Sequence, residues 1–110
     1  MTDIHTIYKL LRRSELATLI TTDRFGGSSD DVRDGFIHLS TAEQVPGTLA
    51  KHFSSDSNIF ALDCRRLLQD SELRWEQSRG GALFPHLYRP LTIGDVTGIF
   101  PLHENKWPVE

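Results

Sequence analysis

Two of the five histidines in this chain stand where side chains could do chemistry. His38 lies within Gly35-Phe36-Ile37-His38-Leu39-Ser40. His86 lies within Phe84-Pro85-His86-Leu87-Tyr88-Arg89-Pro90-Leu91. Each is set in an apolar run with a hydroxyl two residues later. Residues two apart on a strand share a face. The spacing therefore predicts that His38 projects with Ser40 and His86 with Tyr88. A core strand has no need of such pairs, whereas a pocket wall does. An imidazole titrates near neutral pH and can move a proton or hold an anion. Glu76, beside Trp75, is the most credible acid or base to join them; it also reads as a surface ion pair with Arg74 or Arg79. Ser40 could act as a nucleophile with His38 as its base, or simply cap the helix that follows. A strand end that runs into a helix N-terminus is a seat for an anion or a ribose hydroxyl.

Other chemistries fit the residues poorly. No histidines stand in H-x-H, H-x-x-x-H or H-E-x-x-H spacing, and Cys64 is the single cysteine, so no metal is expected. No G-x-S-x-G occurs. The stretch Gly26-Gly27-Ser28-Ser29-Asp30-Asp31 is glycine-rich, but no GK[ST] follows, so it reads as a mobile polar loop with solvated carboxylates at Asp30, Asp31 and Asp34. Cys64 lies in an apolar strand-like run and reads as a buried, inert thiol. The net charge is −3, with acids and bases interleaved. A general nucleic-acid binder would show a basic stripe; here only Arg12-Arg13 and Arg65-Arg66 pair up. No run reaches the ~18 apolar residues of a membrane span. The opening Met1-Thr2-Asp3-Ile4-His5 lacks the pattern of a signal peptide, so the expected location is cytoplasmic.

These residues need elements to position them. A length of 110 residues and 38% apolar content suit one domain over residues 1–110. Ile4 to Leu11 reads as a central strand. Ser14 would cap a short helix with a Leu16, Leu19 and Ile20 stripe. Phe36 to Ser40 is a second strand. Ser40 with Glu43, or Thr41 with Gln44, forms a capping box ahead of a helix that buries Val45, Leu49 and Phe53. Pro46 places the regular part of that helix from about Val45 onward. Asn58 to Cys64 reads as a buried strand and Arg65 to Gln69 as a short helix. Leu73 to Gln77 is a strand with Leu73, Trp75 and Gln77 on one face and Arg74 and Glu76 on the other. Phe84 to Leu91, broken by two prolines, is expected at an edge or in a pocket-lining loop. Asp95 to Leu102 closes the sheet. The order predicts an α+β fold: a small split or mixed β-sheet with two or three short helices.

Several of these blocks together resemble a bacterial family known as domain of unknown function 952. They are Tyr8-Lys9-Leu10, the stretch from Gly35 to Ser40 with Gln44, Trp75-Glu76, and the stretch from Phe84 to Leu91. The likeness runs over roughly residues 4–102 and departs at Leu16 and Arg89. It implies an ADP-ribosyltransferase-like fold, a split sheet with a cleft that in relatives holds NAD. Residue by residue, His38 matches the family's H-L-S histidine, and Glu76, His86 and Tyr88 match its later blocks. The candidate site is then His38 and Glu76 as catalytic residues, with Ser40, Gln44, His86, Tyr88 and Arg89 as ligand-binding ones. NAD is the cofactor it suggests, and a small-molecule ligand the partner. Three functions follow: a nucleotide-binding enzyme or enzyme remnant, a non-catalytic module for a metabolite or protein, or an acid–base enzyme using His38 and Glu76. Oligomeric state is not legible here.

Overall fold

Alternation of apolar residues decides which strand faces which layer. A computed structural model describes residues 4–108, apart from the Arg79 side chain. Strand β1 (Ile7–Leu11) turns Ile7 and Leu11 to one buried layer and Leu10 to another. Being apolar on both faces, it lies inside a four-stranded antiparallel sheet of order β3-β1-β4-β7. Its neighbours are β3 (Ser40–Thr41) and β4 (Asn58–Asp63), and β4 pairs in turn with β7 (Gly98–His103). β4 shows the same division: Leu62 faces the first layer, Ile59 and Ala61 the second.

A second, smaller antiparallel sheet has three strands in the order β2-β6-β5. These are β2 (Ile37–His38), β6 (Leu83–Leu87) and β5 (Leu73–Gln77). Ile37 and Leu87 sit in the first core, with Leu73 and Trp75 packed against it. The fold is thus a split sheet with α+β composition, as expected, but every strand pair is antiparallel rather than mixed.

Among the described residues there are three α-helices: α1 (Arg13–Thr22), α2 (Ser29–Asp34) and α3 (Val45–His52). In α1 the N-cap is Arg12, not Ser14, and its backbone N–H donates to Glu15 Oε1 at 2.8 Å. Leu16 and Leu19 are buried, whereas Ile20 is exposed because it lies outside the narrow face that meets the sheet. α3 buries Val45 and Leu49, with Phe53 at its C-cap, in the second core. Pro46 falls in its first turn, where no N–H is needed.

Three expectations need correction. The stretch ahead of Gly35 is not a plain loop: Ser28 caps α2, and Asp31, at its third position, reaches back to the Ser28 N–H at 2.9 Å. Asp31 is buried, not solvated. Proline-containing β6 is the middle strand of the small sheet, not an edge. Pro85 is tolerated because β2 ends at His38; one residue on, Leu39 donates its N–H to the Pro85 carbonyl at 3.0 Å. Finally, His38 and Ser40 do not belong to one strand. The chain leaves the small sheet at His38 and joins the larger one at Ser40, pairing with Tyr8.

Candidate functional site

The outer face of the small sheet carries the histidines. His38 and His86 are directly opposite each other on β2 and β6. Their ring centroids are 5.4 Å apart, edge to face. Phe36, just before β2, lies among three rings: 3.9 Å from His86, 4.6 Å from His38 and 5.3 Å from Tyr88. Arg74, opposite His86 on β5, has its guanidinium 5.4 Å from the Tyr88 ring.

Each histidine is held by carboxylate. His38 Nδ1 lies 2.7 Å from Asp31 Oδ1, and Nε2 lies 3.0 Å from Asp34 Oδ2. Both ring nitrogens thus face carboxylate oxygens. Asp31 is the anchor. Its Oδ1 also takes the His38 backbone N–H at 3.0 Å; its Oδ2 takes Lys9 Nζ and the Ser28 N–H, both at 2.9 Å. Burial alone would push this carboxyl up. The hydrogen bonds from His38 and the charge of Lys9 outweigh burial and hold it well below the usual carboxylate range. Lys9 donates again, to the His38 carbonyl at 3.0 Å. One carboxylate thus ties β1, α2 and β2 together.

On the other side, Glu76 Oε1 lies 2.8 Å from His86 Nδ1 and accepts the Tyr88 hydroxyl at 2.6 Å. The Tyr88 bond and then the His86 bond lower the Glu76 carboxyl. Burial lowers the His86 imidazole from its ordinary value.

A cavity of about 320 Å³ opens beside His38. Ser40, Thr48, Arg33, Lys51 and His52 contribute polar and cationic groups to its wall, and Asp30 and Asp34 acidic ones. A smaller one of about 60 Å³ lies behind, between Lys9, Arg12, Asp31 and His52. Ser40 lines both, although it sits in the other sheet. Its hydroxyl is 2.9 Å from that of Thr48, so it does not cap α3.

The structure therefore brings His38, His86, Glu76 and Tyr88 onto one face and leaves the other candidates elsewhere. Gln44 and Thr41 close the capping box in the second of the two registers, and Gln44 Nε2 donates to the Leu83 carbonyl at 2.8 Å. Gln44 borders a separate space of about 800 Å³ with Tyr8 and Trp75. Arg89 is taken up by Asp70 and Asp95, with contacts of 2.8 and 2.9 Å. Lys9 and Asp31 were missed as site residues. The S-x-x-D capping spacing of Ser28 and Asp31 was the available signal for Asp31; nothing local marked Lys9 as its partner.

Comparison with known proteins agrees with the earlier likeness. No curated protein matches the chain. Among solved structures, the crystal structure of protein CC0527 from Caulobacter crescentus superposes with a TM-score of 0.82 at 46% identity, covering 88% of this chain and 85% of that one. The solution NMR structure of CC0527 gives a TM-score of 0.80 at 45% identity, covering 91% and 86%. The family model described as protein of unknown function DUF952 matches residues 10–99, a span that includes His38, Glu76, His86 and Tyr88, and the chain belongs to that family.

Proposed function

We propose that the histidine-bearing face is a binding site for a small metabolite with a planar ring and an anionic group, a nucleotide such as NAD or ADP-ribose being the class that fits. The opposed rings of His38 and His86, flanked by Phe36 and Tyr88 and opening at His38 onto the 320 Å³ cavity, carry this reading. Aromatic and imidazole faces offer a stacking surface. The cavity volume is that of small-molecule sites. Lys51 on its wall supplies positive charge, Arg33 is ion-paired there to Asp30 and Asp34, and Ser40 and Thr48 supply hydroxyls. In this reading Glu76 orients His86 and Tyr88 rather than meeting His38. Kinship with the ADP-ribosyltransferases is supported by the split sheet and by the likeness of the His38-Leu39-Ser40 sequence, which here passes from one sheet to the other.

Both nitrogens of His38 face a carboxylate, which favours binding over proton abstraction by this residue. Calorimetric titration with NAD and with ADP-ribose tests the site. The expected outcome is binding that weakens about tenfold, or ~1.4 kcal/mol, in Lys51→Ala and further in His38→Ala, with both variants folded. Absence of heat with either nucleotide would remove the nucleotide reading. An NAD-consumption assay then separates a transferase from a module that only binds.

A further inference from the structure

Nε2 of His86 is the one buried side-chain polar atom without a hydrogen-bond partner among the described residues. The rest of the residue is firmly held. The side chain is 3% exposed, and Nδ1 is bound to Glu76. Glu76 accepts from Tyr88 through the same oxygen, and these bonds favour its ionised form. An ionised carboxylate has no proton to give, so Nδ1 carries the hydrogen and Nε2 is bare. Burial keeps the ring neutral. Buried acceptors are normally satisfied. A bare, orphaned nitrogen on the ligand-facing side of a sheet therefore calls for a donor from outside the chain.

The neighbours of His86 differ in how they are fixed. His38 is pinned by Asp31 and Asp34, and Tyr88 by Glu76. Phe36 is stacked on the imidazole, with planes 23° apart, and a phenyl ring has no hydrogen-bonding group to pin it. It is half-buried and follows Gly35, whose φ of 88° marks the turn out of α2. His38 across the strands and Phe84 two residues along β6 both line the 320 Å³ cavity, so His86 lies just behind that wall.

We propose that His86 is a covered proton acceptor of this site: the packing over its ring, Phe36 included, opens, and Nε2 takes a hydrogen bond in the plane of that ring from a ligand hydroxyl of the kind a sugar presents. The proposal rests on the binding reading above and adds the chemistry of the donor and the side chain that gates it. No bond is made or broken in the ligand. Phe36 is a gating residue, and Glu76 is a positioning residue that acts through His86.

Diethyl pyrocarbonate, which acylates unprotonated imidazole nitrogens, is the probe of access. Labelling is followed residue by residue by peptide mass spectrometry at pH 7, with exposed His5 and His103 as references in the same sample. The charged and titratable groups facing His86 are Glu76, Arg74, Tyr88, His38 and Asp34. In the wild type, His86 is expected to label far more slowly than the references. In Phe36→Ala, with its fold verified by amide NMR, it labels at least about tenfold faster, and Phe36→Leu falls between, should the alanine variant not fold. Nitrogen NMR of the wild type is expected to place the proton on Nδ1. Unchanged labelling in a folded Phe36 variant, or a proton on Nε2, would overturn the proposal. Addition of ADP-ribose is expected to move the Nε2 resonance. Heat of binding without that movement overturns this role for His86 and leaves the binding reading standing. Absence of heat overturns the binding reading, while labelling and tautomer still decide whether His86 is a covered acceptor.

Discussion

Asp31 uses both carboxylate oxygens fully, and one of its partners is a nearly buried ammonium. Removing the carboxylate charge strands Lys9 in the core. Asp31→Asn is therefore expected to lower stability by about 3 kcal/mol, because an uncompensated buried charge is left behind; urea unfolding that shows a loss below ~1 kcal/mol would contradict this. The pH dependence has a definite sign. The folded-state carboxyl lies below the unfolded value of 3.8. The stability it contributes is complete above about pH 5 and is lost as the pH falls through the folded value. Asp31→Asn should flatten that acid limb. Arg89 offers a contrast. It bridges Asp70 and Asp95 through several hydrogen bonds, which hold its guanidinium above its ordinary range. Arg89→Ala is expected to cost about 2 kcal/mol, the scale of charge-assisted hydrogen bonds. Nucleotide affinity should stay unchanged in titration, since the clamp lies outside the cavity wall.

Helix α2 is short, so its place depends on its ends. Gly27 and Gly35 flank it, both with positive φ. At Gly35 an added Cβ meets nothing within 4 Å, and the backbone angle is what favours glycine. At Gly27 an added Cβ would sit 2.6 Å from the Cβ of Asp31. Gly27→Ala must therefore push the anchor of His38 aside as well as strain the backbone. It is expected to destabilise by about 3 kcal/mol and to shift the His38 ring resonances. Gly26→Ala is the control. Its added Cβ meets nothing within 4 Å, so a change within about 0.5 kcal/mol is expected. Equal losses in the two variants, measured by denaturant unfolding, would show that the close approach at Gly27 has no consequence.

At the scale of the molecule, the larger sheet is covered on both faces, by α1 and the small sheet on one side and by α3 on the other. The small sheet packs one face on the core and carries the histidines on the other, where Phe36 covers His86. Cys64 sits between these layers, wholly buried, immediately after β4. Burial pushes its thiol up to about 12, from an ordinary 9.0. The thiolate fraction at pH 8 is then roughly a thousandfold lower than for a free thiol. Native protein should react with a disulfide reagent only as fast as it unfolds. Rapid native-state labelling would mean that the two sheets part more readily than their packing implies. The described residues contain no helix long and apolar enough to cross a membrane.

Short-range pattern determined much of this. A nearly continuous apolar run placed β4, alternation placed β5, the i, i+4, i+8 spacing placed α3 through Val45, Leu49 and Phe53, and Pro46 marked its first turn. The pairing of His86 with Tyr88 followed from the period of two along a strand, and both side chains reach Glu76. Such features depend on neighbours in sequence. What the pattern could not reach depends on contacts between distant segments. Lys9 meets Asp31 across 22 positions, and burial of that pair is decided only when β1 and α2 pack. Pro85 occupies a middle strand because β2 stops short beside it. His38 and Ser40 part company because one backbone bonds β6 and the other β1. A local alternation of side chains is the same for one continuous strand as for two that change sheets, so only the tertiary pairing of the backbone hydrogen bonds distinguishes them.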